Sequence, residues 1–189
     1  MTNQSTYSAS SLGLHGIAPT VSLVAITSSV LLIVVLHIIK PDLDPSWRML
    51  SEYSLGAYGW IMKVAFWLMA VSNIALAFAL QSNVRNVASK IGIALHYVVG
   101  LALLGAGLFD MDPITAKPEQ LTAHGQLHGI SAMIGIPGQV VAAVLLAWGT
   151  TRLVEEPLRS VAMRSGAIYV GSAVATGLTL LIGLALWLG

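Results

Sequence analysis

The sequence predicts an all-α polytopic membrane protein of five transmembrane helices, with a short interfacial helix after the first. Three observations predict it. Hydrophobic residues make up 56% of the 189-residue chain and charged ones 9%, and the mean hydropathy of +0.82 lies outside the range of water-soluble domains. The apolar residues are gathered in runs long enough to cross about 30 Å of hydrocarbon, which takes roughly 20 helical residues. The connections between the runs are short, so residues 1–189 read as a single transmembrane helical domain with no inserted soluble unit.

The expected spans are residues 17–39, 57–80, 91–109, 123–149 and 161–188. Each is read as helix because a lipid-exposed backbone must satisfy its own hydrogen bonds. The amino-terminal stretch MTNQSTYSASSLGLHG has no positive residue before its first apolar run, so it does not read as a cleavable signal. The first connection, KPDLDPSWRMLSEYSLG at residues 40–56, sets Asp44 before Pro45. That is the form of a helix start, with aspartate as N-cap and proline at the first helical position. Asp44, Arg48 and Glu52 then recur on one face at alternating charge, with Trp47 and Leu50 toward the other. This predicts an amphipathic helix lying on the membrane surface.

Five spans put the amino terminus on the side of the second and fourth connections. That side carries Arg85, Lys90, Arg152, Arg159 and Arg164, and the other carries Lys40, Arg48 and Lys117. The bias places the amino terminus in the cytoplasm and the carboxyl terminus outside. In either orientation the first and third connections share a face, and six of the eight acidic residues fall there: Asp42, Asp44, Glu52, Asp110, Asp112 and Glu119.

Composition excludes several chemistries. The chain has no cysteine, so disulfides, thiolate metal sites, iron–sulfur clusters and cysteine nucleophiles are ruled out, and any metal needs nitrogen and oxygen ligands. A net charge of +1 without a basic run gives no footprint for nucleic acid.

The candidate chemistry lies in two segments of the shared face. His124 and His128, four apart at the start of the fourth span, project from one helix face and can grip a metal ion. Asp112, before Pro113, would be a third ligand, although aspartate before proline is as often a cap or turn. Glu52 would be general base or fourth ligand, and Ser51 and Arg48 would orient an ester, amide or phosphate. A lone serine without a paired base is more often solvated or capping than nucleophilic. Lys63 and Asp110 are expected to flank this set, with Lys63 an ion-pair partner for a carboxylate of the cluster. Asp44 is favoured as a cap over a catalytic group, and His37, at the end of the first span, can join the cluster. His96 lies toward the other face and reads as a hydrogen-bonded packing histidine, and Asn73 as a bond between helices.

The pattern PDLDPSWRMLSEYSLGAYGWIM, followed by GLFDMD and HGQLHGISA, resembles the bacterial membrane proteins grouped as domain of unknown function 998. The resemblance runs from about residue 15 to the end and rests on Asp44-Pro45, Ser51-Glu52, Asp112 and His128. Asp110 stands where that family more often has proline, which makes Asp112 the stronger candidate. The resemblance implies a bacterial inner membrane and a fold, and no reaction. The family is distantly similar to membrane proteins that remodel glycosylphosphatidylinositol lipids. By residue types alone, the cluster is also analogous to membrane hydrolases of the alkaline ceramidase and adiponectin-receptor kind.

Three readings compete. The first is a zinc-dependent hydrolase or remodelling enzyme of membrane lipids, with His124, His128 and Asp112 holding the metal. The second is a non-enzymatic membrane subunit or lipid-binding protein whose ion pairs, such as Asp44 with Arg48 or Lys63 with Glu52 or Asp112, are structural. The third, ranked below both, is a haem protein or small-solute transporter.

Overall fold

The computed structural model describes residues 9–82 and 84–151, and these are helix and connection throughout. Four long helices run in chain order: α1 Ala9–Ile39, α2 Gly59–Leu80, α3 Val87–Leu108 and α4 Ala123–Thr151. All four are long and apolar enough to cross a membrane, which makes this an integral membrane protein. The fifth expected span, 161–188, and the charges of the fourth connection lie outside the described residues.

The helices pack in sequence order, α1 on α2, α2 on α3 and α3 on α4. Small residues and polar side chains set these seams, as expected where lipid gives helices no hydrophobic reason to associate. Between α1 and α2, the Ser22 hydroxyl reaches the Ser72 carbonyl at 3.0 Å, and the Ser29 hydroxyl donates to the Ala65 carbonyl at 3.0 Å. Above these bonds Leu36, Leu43, Tyr53, Ile61, Met62 and Ala65 form a buried cluster. Asn86 caps α3 by accepting the Ser89 N–H at 2.8 Å and ties it to α4 by donating to the Gly149 carbonyl at 3.0 Å. Such a cap contributes about 1 kcal/mol. It also starts α3 at Val87, four residues ahead of the expected 91.

The interfacial helix expected across 44–52 is replaced by a folded cap. Asp44 accepts the Ser46 N–H at 2.9 Å, a turn forms with Arg48 N–H on the Asp44 carbonyl at 3.1 Å, and a short 3₁₀ helix follows at Leu50–Ser54. The cause is a bond that pulls the segment back on itself. The Tyr53 hydroxyl donates to the Leu43 carbonyl at 2.9 Å. A straight helix between those residues would separate them by about 15 Å, beyond a tyrosine's reach. The chain then enters α2 through a tight turn with Gly56 at φ +65° and Tyr58 at φ +62°, the latter unusual for a residue with a side chain.

Candidate functional site

The expected polar cluster does form at one end of the bundle, where α1 and α3 end and α2 and α4 begin. It is built from the two connections, and its buried polar groups are spent largely on backbone.

Lys40 follows the last residue of α1 and is buried. Its ammonium donates to the carbonyls of Tyr53 at 3.2 Å and Leu55 at 2.5 Å, groups that the short 3₁₀ helix leaves unsatisfied. Burial lowers the Lys40 pKa from its ordinary 10.5, with Asp42 opposing. Tyr53 is 1% exposed, and its ring lies 4.8 Å from that of His37. Burial, and then the charges of Asp42 and Asp44, raise its phenol above the ordinary 10.0.

Glu52 is fully buried. One carboxylate oxygen accepts the Met49 N–H at 3.1 Å, closing its own 3₁₀ turn, and the other accepts the Ile114 N–H at 3.0 Å from the second connection. Arg48 Nη1 stands 3.4 Å from that second oxygen, and the guanidinium is stacked over Trp47. A carboxylate enclosed on all sides, with two backbone donors and an arginine at its oxygens, is closed off from a substrate, so the arrangement is a clasp between connections.

Asp112 makes a second clasp. Its oxygens accept the Thr122 N–H at 2.8 Å and the Thr122 hydroxyl at 2.9 Å, while the Thr122 hydroxyl accepts the Gly125 N–H at 3.0 Å. Thr122 is thus the N-cap of α4, and Asp112 holds the cap. The aspartate lies so close that a Cβ on Gly125 would collide with its carboxylate.

His128 is buried, and its Nδ1 lies 3.0 Å from the Ala106 carbonyl and 3.1 Å from that of Phe109. Both are acceptors, so Nδ1 carries the proton and closes the open carbonyl end of α3. Its ring meets Phe66 edge-on, whereas His124 is exposed and meets Phe109. Lys63 and Asp110 form an ion pair at 2.5 Å.

Arg48 with Glu52 and Lys63 with Asp110 are therefore paired, whereas the expected pairings of Asp44 with Arg48 and of Lys63 with Glu52 or Asp112 do not form. Asp44 is exposed and serves its own turn, where the Ser46 N–H keeps its carboxyl below the ordinary 3.8. His37 turns to the Ile33 carbonyl at 2.8 Å. Among the described residues no base stands against the Ser51 hydroxyl, and the Ser51 carbonyl accepts the Ser54 hydroxyl at 2.7 Å. The ligand set His124, His128 and Asp112 does not converge. Among the described residues no group of three His, Cys, Asp or Glu side chains is placed to hold a metal ion. The cause is local: Asp112 is drawn to Thr122 and His128 to the end of α3.

Two apolar grooves of about 400 and 320 Å³ lie elsewhere, one lined by Asn86, Ile91, Leu145 and Gly149, the other by Ile17, Val21, Val71, Phe78 and Tyr97. Neither is lined by Ser51, Glu52, Asp112, His124 or His128. Sequence reasoning missed Lys40, Tyr53 and Thr122. Thr122 was open to detection, as a hydroxyl residue directly ahead of an apolar helix. Lys40 and Tyr53 carry no local pattern that announces burial.

A profile of the family described as "Protein of unknown function (DUF998)" matches residues 23–189. No curated protein and no solved structure matches the chain.

Proposed function

The chain belongs to the DUF998 family, and from that premise we propose that it is a non-enzymatic lipid-binding membrane protein whose polar cluster is a structural clasp. Glu52 carries this reading, because the residue best placed to be a base is enclosed and bonded to the N–H groups of Met49 and Ile114. The lipid class is supported by what surrounds the clasp. Trp47, Met49, Leu50, Tyr58 and Trp60 are all exposed around it, an aromatic and apolar rim of the kind that seats at headgroup level. In this reading the protein sits in a bacterial inner membrane, amino terminus in the cytoplasm, with the clasp on the outer surface. Its partners are membrane lipids. Native mass spectrometry of the protein released from bilayers of defined composition tests it. Lipid adducts are expected to survive S51A and H124A unchanged and to be lost with E52Q. A protein that retains no lipid from any bilayer overturns the reading.

One observation favours the zinc-hydrolase reading as a second. His128 donates from Nδ1 to backbone carbonyls, which leaves the Nε2 lone pair in the state a metal-ligating imidazole adopts. Elemental analysis of the purified protein decides between them. Stoichiometric zinc that disappears in H128A supports the second reading over the first.

A further inference from the structure

A separate polar locus lies within the spans. His96 on α3 is fully buried, and its Nδ1 is 2.8 Å from Asn73 Oδ1 on α2. The Asn73 amide is oriented by its own donation to the Met69 carbonyl at 3.0 Å, so its oxygen faces the imidazole and accepts. His96 Nδ1 therefore carries the proton, and Nε2, on the ring edge directed away from α2, is a bare acceptor. It is shielded from solvent and has no hydrogen-bond partner among the described residues. On α4 the Oε1 atom of Gln139 is in the same condition.

The register of the α3–α4 seam sets these two residues within about one helical turn of each other. Ser89 lies against Gly149, Gly92 against Leu146, Val99 against Gly138 and Ala102 against Gly135. This antiparallel progression sets His96 against Val141 and Ala142, less than one turn from Gln139. The side chain of Gln139 also shares a face with the buried Ala142, Ala143 and Leu146. Two acceptors facing one seam cannot satisfy each other. They need a donor with two hydrogens between them.

We propose that His96 and Gln139 form a binding site for one internal water molecule, which donates one O–H to His96 Nε2 and the other to Gln139 Oε1. The site completes a chain in which Asn73 donates to Met69, His96 donates to Asn73, and the water donates to both His96 and Gln139. It links α2, α3 and α4 inside the membrane. It stands on different residues from the clasp and does not depend on the lipid-binding reading.

Nitrogen NMR of the histidine-labelled protein in nanodiscs tests it, with His96 assigned by its loss in H96Q. In the wild-type chain Nδ1 is expected to be protonated, Nε2 to be an unprotonated nitrogen shifted by hydrogen bonding, and the ring to show magnetisation transfer from water. In Q139L, or in Q139M if the leucine variant does not fold, Nε2 is expected to move by several parts per million toward a bare acceptor and the water contact to vanish. A proton on Nε2, no water contact in the wild-type chain, or a direct coupling from a protein N–H to Nε2 overturns the proposal. The wild-type spectrum alone suffices for each of these.

Discussion

Glu52 and Ile114, 62 residues apart in the chain, are joined by a 3.0 Å hydrogen bond from the Ile114 backbone N–H to the Glu52 carboxylate. Replacing that carboxylate by an amide keeps its shape but turns one acceptor into a donor facing an N–H. E52Q is expected to lose about 1–3 kcal/mol, read as a lower thermal midpoint in detergent with helix content unchanged before the transition. A midpoint equal to wild type would remove the clasp from the description.

The closeness of Gly125 to Asp112 predicts a coupled pair. G125A pushes a methyl group into the carboxylate and is expected to destabilise by about 1–3 kcal/mol, the usual cost of overpacking. D112A removes the acceptor that holds the Thr122 cap, yet it also clears the space the methyl group needs. The double variant is therefore expected to be more stable than the sum of the singles implies. Additive losses measured by urea unfolding in micelles would contradict the contact.

Tyr53 predicts an alkaline limit. Its folded-state pKa is raised above 10.0, chiefly by burial, so its contribution to stability is whole below pH 10.0 and is lost as pH rises through the folded value. Lys40 acts in the opposite sense. Its pKa is lowered from 10.5 by burial, so its buried charge weakens the fold at lower pH, and the loss is relieved as pH climbs toward 10.5. Absorbance titration of the folded protein is expected to show a phenol ionising above pH 10.0, and Y53F should delete that phase. Deletion of absorbance that develops at or below pH 10.0 instead would place Tyr53 in water.

The Lys63–Asp110 pair is short but open, with side chains 29% and 51% exposed. Solvent screening holds such a pair to about 0–1 kcal/mol. A double-mutant cycle with K63M and D110N is expected to return a coupling in that range that shrinks as salt rises. A coupling well above it would mean that lipid headgroups exclude water from the pair.

The helices were legible because an apolar run of membrane length has few alternatives. The start of α3 was misplaced because its cap, Asn86, lies ahead of the apolar run among residues that look like loop. At Asp44 the same short-range chemistry, a carboxylate accepting an N–H two residues on, opens either a helix or a turn. Long-range bonds from Tyr53 and Lys40 decided for the turn. The cluster was legible as a face, since topology alone brings the first and third connections together. Its roles were not. Helical spacing put His124 and His128 on one side of α4, but the open carbonyls of Ala106 and Phe109, 22 and 19 residues from His128, chose its partner.

The order of packing bears on biogenesis. Every extensive helix contact among the described residues joins neighbours in the chain, so each emerging span meets a partner already in the bilayer and needs no distant segment to dock. The clasp departs from that rule. Glu52 is made before α2 and must wait for Ile114, which follows α3. During synthesis it is an acidic group at the membrane edge without its second backbone donor, and the cap closes only after the third span has crossed.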